Sequence, residues 1–110
     1  MELLVLILNK VELLDDVLSF YLEAGVGGAT VIDSVGMGRI IATMPIFAGF
    51  RDLMAGNRPS NKTILAAVDS ALVPELTEGI EKILGSLTEP GTGLILTLPI
   101  STLKGMGKGF

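Results

Sequence analysis

At 110 residues the chain has the size of one ordinary domain, and with 49% apolar and 18% charged residues it can bury a core without disulfide or metal staples. It contains no Cys, His or Trp, which excludes disulfides, thiolate or imidazole metal centres, Cys nucleophiles and His-dependent triads. A net charge of −4 argues against nonspecific nucleic-acid binding and anionic membrane surfaces, and only carboxylates remain to bind a metal, which favours hard cations such as Mg²⁺.

The longest apolar run, Leu3 to Leu8, is far short of the ~20 residues a membrane span needs. Met1-Glu2-Leu3-Leu4 has neither a basic n-region nor a cleavage site, so a cytoplasmic protein without membrane insertion is expected. The Leu3–Leu8 run suits a strand buried on both faces and ends at Asn9-Lys10. Residues 11–24 change period: Leu14, Val17, Leu18, Tyr21 and Leu22 recur at helical spacing, with Glu12, Asp15, Asp16, Ser19 and Glu23 on the other side and Gly25 as the stop. A second strand is expected from Ala29 to Val35, where Thr30, Val31, Ile32 and Val35 are stiff at χ1, ending at Gly36-Met37-Gly38-Arg39.

Pro45, Gly49, Gly56 and Pro59 interrupt residues 40–61, with one short helix expected from Ile46 to Ala55. A connection this long in a small domain is usually functional or mobile. Thr63 to Val68 reads as the third strand. Pro74 then opens a helix that sets Leu76, Ile80, Ile83 and Leu84 against Glu75, Glu78, Glu81 and Lys82, and Gly85 ends it. Leu87 to Gly93 is a loop, Leu94 to Leu98 the fourth strand, and residues 104–110 a loose Gly-rich tail.

The order β-α-β-loop-β-α-β is the split β-α-β pattern. It implies one α+β, ferredoxin-like domain over residues 1–110: a four-stranded antiparallel sheet with two helices on one face. Polar residues should alternate along strands whose second face meets water, yet Leu3–Leu8 is wholly apolar and only Thr97 breaks Leu94–Leu98. Both faces therefore ask for cover, and a closed symmetric assembly supplies it.

The stretch Leu22-Glu-Ala-Gly-Val-Gly-Gly-Ala-Thr-Val-Ile-Asp-Ser-Val-Gly-Met-Gly-Arg39 resembles the second-strand motif of the PII signal-transduction family. Gly25, Gly28, Thr30, Val31, Gly36, Gly38 and Arg39 fill its positions. The resemblance extends to Leu14-Asp15-Asp16-Val17 and to Gly91-Thr92-Gly93 and covers most of the chain in element order. It implies a homotrimer with sheets facing inward, and a non-enzymatic regulator, in this family of nitrogen regulation. The same resemblance implies inter-subunit clefts that bind an adenine nucleotide, with or without Mg²⁺, and no obligatory cofactor. A long loop, here residues 37–61, would engage a protein target, membrane-embedded targets included. The chain departs from the pattern in three places: Leu94 follows Gly93 where a Lys is expected, Gly105 and Gly107 stand where arginines would, and Phe47 lies nearest the position of the loop's modifiable Tyr.

Within that frame, Thr30, Gly36, Gly38, Arg39, Gly91, Thr92 and Gly93 are the candidate ligand-binding residues. Gly36 to Arg39 can offer backbone N–H groups and a guanidinium to a phosphate. Glycines at 91 and 93 permit close approach, and Thr92 carries a hydroxyl. Each also has a plainer reading as a turn, a surface Arg or a β-former. Phe47, Phe50, Arg51 and Met54 are the candidate partner-binding residues of the loop. No metal ligands and no catalytic residues are assigned, since no nucleophile–base constellation is visible. Two alternatives remain open: a CutA-like trimer for divalent cations and a ligand-free scaffold trimer.

Overall fold

The structure, a computed structural model, describes residues 1–42, 44, 46 and 60–105. The elements run β1 (Glu2–Leu8), α1 (Leu14–Glu23), β2 (Thr30–Ser34), α2 (Met37–Ala42), β3 (Asn61–Val68), α3 (Val73–Leu84) and β4 (Gly93–Pro99). Short 3₁₀ turns, Val11–Leu13 and Ser70–Leu72, lead into α1 and α3. The fold is α+β, and its antiparallel sheet has the order β2-β3-β1-β4, compatible with a ferredoxin-like arrangement. The first strand is central: Glu2 to Leu8 pair with Val68 to Lys62 on one side and with Pro99 to Gly93 on the other.

Period-2 alternation sorts each strand between two faces. Leu4, Leu6 and Leu8 of β1 and Ile64, Ala66 and Val68 of β3 are buried in one core with Val17 and Tyr21 of α1 and Leu76, Ile80 and Leu84 of α3. The helices therefore cover one face, and the α3 stripe lies where its spacing predicts. The α1 stripe is rotated. Leu22, expected inside, is 77% exposed, whereas Leu13, Phe20 and Ala24 pack against the core. The reason is a glycine in α3. A Cβ at Gly79 would lie 2.0 Å from Phe20 Cζ, so the Phe20 ring fills the space this glycine leaves. At about 100° per residue, a stripe drawn toward Phe20 turns Leu22 outward.

The helix ends follow local chemistry. Val26 N–H donates to Tyr21 O and Gly25 N–H to Leu22 O, with Gly25 at φ +94°, a Schellman closure of α1. The Asp69 carboxylate accepts from Ala71 N–H at 2.9 Å ahead of α3, and Pro74 sits in its first turn. At the far end of α3, Lys10 Nζ donates to Leu84 O at 2.6 Å and places a cation on the helix's negative pole.

One expectation changes at the β2–β3 connection, and another goes untested. Residues 37–42, expected to begin the long loop, form the helix α2. An uninterrupted Met-Gly-Arg-Ile-Ile-Ala run with no proline allows it, at the cost of one interior glycine. The short helix expected at 46–55, like the tail beyond Gly105, lies outside the described residues, apart from the exposed Ile46.

The second sheet face lies away from the core formed with α1 and α3. Leu94, Leu96 and Leu98 are exposed on it, opposite half-buried Ile7, Val5 and Leu3 of β1. The face turns polar at one end, where Ser34, Asn61 and Thr63 cluster. None of the helices among the described residues is long and apolar enough to cross a membrane.

Candidate functional site

A cleft of about 230 Å³ opens at that polar end of the sheet. It is lined by Asn9 after β1, Gly36, Gly38 and Arg39 at the β2–α2 junction, Asn61 at the start of β3 and Gly91 ahead of β4, with Ile7 as its apolar wall. Four of the seven ligand-binding candidates, Gly36, Gly38, Arg39 and Gly91, thus meet in one place. A larger but shallow hollow, about 610 Å³, runs along the outside of α3 beside Glu78 and Lys82 and contains none of them.

The sheet order explains the convergence. β1 and β3 lie side by side, so Asn9, one residue past the end of β1, comes beside Asn61. The β2–β3 register sets Ser34 opposite Asn61 and delivers Gly36 to Arg39 to the same corner. Gly93 opposite Leu8 brings the preceding Gly91 in from the other side.

Hydrogen bonds fix the polar wall. Ser34 Oγ donates to Asn61 Oδ1 at 2.5 Å. Its single proton is then committed, so at the 2.8 Å contact with Thr63 the Thr63 hydroxyl donates to Ser34 Oγ. Asn61 Nδ2 in turn donates to Asn9 Oδ1 at 3.4 Å. Arg39 is exposed and makes no ion pair among the described residues. Lys62, one residue after Asn61, pairs with Asp33 instead.

The remaining candidates occupy other places. Thr30 is at the opposite end of β2, exposed and paired with Leu65, four residues or roughly 13 Å from Ser34 along the strand. Thr92 is 4% exposed and does not line the cleft. Gly93 has φ +148°, and a Cβ there would sit 2.6 Å from Ile7 O. Its smallness serves the close approach of β4 to β1. Gly91, at φ +80° with nothing within 4 Å of a Cβ position, keeps its place by conformation alone. Phe47, Phe50, Arg51 and Met54 lie outside the described residues.

Asn9 and Asn61 were not singled out by sequence. Asn9 reads as the polar end of a strand and Asn61 as part of a loop composition, so only the pairing register reveals them. No group of three carboxylates close enough to hold a metal ion is present among the described residues. Comparison with protein-family models and with curated proteins finds no match to this chain.

Proposed function

We propose that the protein is a divergent PII-like regulator: a homotrimer that binds a small effector, an adenine nucleotide, in clefts between subunits and controls a protein target through residues 37–61. The observation that carries this reading is the meeting of Gly36, Gly38 and Arg39 with Gly91 in one cleft. These residues come from two segments that the family motif marks separately, and they combine a guanidinium with glycine backbone. At about 230 Å³ the cleft of one chain is smaller than a typical ligand pocket of about 300–1,000 Å³, which fits a site completed by a neighbouring copy. The apolar sheet face beside it supplies the surface for that neighbour. Regulation requires the effector to bind one state of the 37–61 segment more tightly than another.

The test is calorimetric titration of AMP, ADP and ATP into the wild type and Arg39→Ala. Loss of a charge-assisted contact lowers affinity by roughly tenfold or more. The unfolding midpoint of the unliganded variant stays at the wild-type value, because Arg39 has no ion pair among the described residues. An affinity unchanged by the substitution removes Arg39 from the site, and a wild type indifferent to all three nucleotides removes the nucleotide reading.

A further inference from the structure

The hydrogen bonds of the polar wall have a direction. Thr63 donates to Ser34, Ser34 donates to the Asn61 carbonyl, and the Asn61 amide donates to the Asn9 carbonyl. Each side-chain carbonyl thereby already accepts one hydrogen bond from within the wall. The groups left wholly unengaged are N–H: the amide group of Asn9 and the second amide hydrogen of Asn61. Arg39 lines the same cleft, and its guanidinium has donors and no acceptor. A wall of this kind repels cations and pairs poorly with ligand donors. It suits an oxyanion.

Its charge capacity is limited. Arg39 is the one cationic side chain lining the cleft among the described residues. The two nearest lysines in sequence are engaged elsewhere, Lys10 on the Leu84 carbonyl and Lys62 on Asp33. Neutral amides can satisfy the lone pairs of one compact oxyanion, but they do not balance a chain of several charges.

We infer that Asn9 and Asn61 are ligand-contacting residues that, with Arg39, form a donor-rich cradle for a single compact oxyanion, one phosphate group and not a polyphosphate tail. Asn61 also acts through its neighbour, since it donates to the Asn9 carbonyl and so restrains the Asn9 side chain. This deepens the reading of the cleft as an effector site and rests on it.

The experiment uses the full chain as wild type, Asn9→Asp, Asn61→Asp and Arg39→Ala. AMP and ATP are titrated by calorimetry, and inorganic phosphate is followed by ³¹P line broadening. Asn9→Asp keeps the side-chain shape and still accepts from Asn61, so the fold is retained, while an amide donor becomes a negative oxygen. The expected result is AMP affinity at least tenfold lower in Asn9→Asp and Asn61→Asp, and ATP binding the wild type no more tightly than AMP. AMP affinity within twofold of wild type in Asn9→Asp, with Arg39→Ala defective, overturns the cradle and leaves the nucleotide reading standing. ATP binding tenfold or more tighter than AMP overturns the limit to one phosphate group. Phosphate binding that depends on Asn9, without binding of either nucleotide, supports the cradle and overturns the nucleotide reading. Silence of all three probes overturns both.

Discussion

Tyr21 faces the core from α1 at 2% exposure, and its hydroxyl has no hydrogen-bond partner among the described residues. Burial disfavours the phenolate and pushes the pKa up from 10.0 to about 12. The folded protein therefore keeps this proton over a range in which the unfolded chain releases it. Stability from this group is fully present below pH 10 and is lost as the pH rises toward 12. Each pK unit corresponds to about 1.4 kcal/mol, so the wild type loses about 1.4 kcal/mol by pH 11 and about 2.7 kcal/mol beyond pH 12. Tyr21→Phe keeps the ring and removes the orphaned hydroxyl. At pH 8 the variant is expected to be as stable as the wild type, or more stable by up to about 1 kcal/mol. Urea unfolding of both proteins at pH 8, 9, 10 and 11 measures the difference, and the lysines cancel because both proteins carry them. The stability gap should widen by about 1.4 kcal/mol in favour of the variant between pH 8 and 11. A gap that stays constant across this range would refute a dry, unpartnered phenol.

Two glycines separate a clash from a dihedral preference. Gly93→Ala drives a Cβ against Ile7 O at φ +148° and should cost about 2–4 kcal/mol, whereas Gly91→Ala meets no atom and should cost about 1 kcal/mol; equal unfolding midpoints in denaturant would contradict this. Leu96 sits exposed opposite Val5 in the middle of the second sheet face. On the proposed homotrimer, Leu96→Glu is expected to reduce the mass seen by light scattering from three chains to a single chain of 11.5 kDa with helix content retained, and a mass unaltered by the substitution counts against burial of this face.

Strong periodicities made much of the fold legible. The Leu3–Leu8 run, the helical spacing of Leu76, Ile80 and Leu84, and glycines 25 and 85 located elements and their ends to within a residue or two. Leu22 misled because spacing fixes the width of a helical stripe but not its rotation, which here follows Phe20 into the space at Gly79. The α2 helix was hidden because Gly38 sits inside it and its length is under two turns. In the cleft, motif residues near the chain's tight turns were visible as glycines and an arginine. Asn9 and Asn61 were not, since their importance arises from a β1–β3 register that links distant parts of the chain. Gly93 drew attention as a phosphate-loop glycine, although its lack of a Cβ answers to the Ile7 carbonyl.

The central position of β1 also bears on how the chain is made. Its neighbours are β3 and β4, and β4 is made after the other strands of the sheet. At about 5–20 residues per second, the nascent Leu3–Leu8 run waits on the order of ten seconds before both of its edges can be paired. Until β3 and α3 are made, its alternating leucines can be shielded by the α1 helix that follows. A sheet whose first strand is completed last gains little from partial synthesis, and long-range closure of this kind folds slowly. Elongation pauses placed between α1 and β3 should therefore lengthen exposure of the stickiest segment, making soluble yield sensitive to codon choice in that interval.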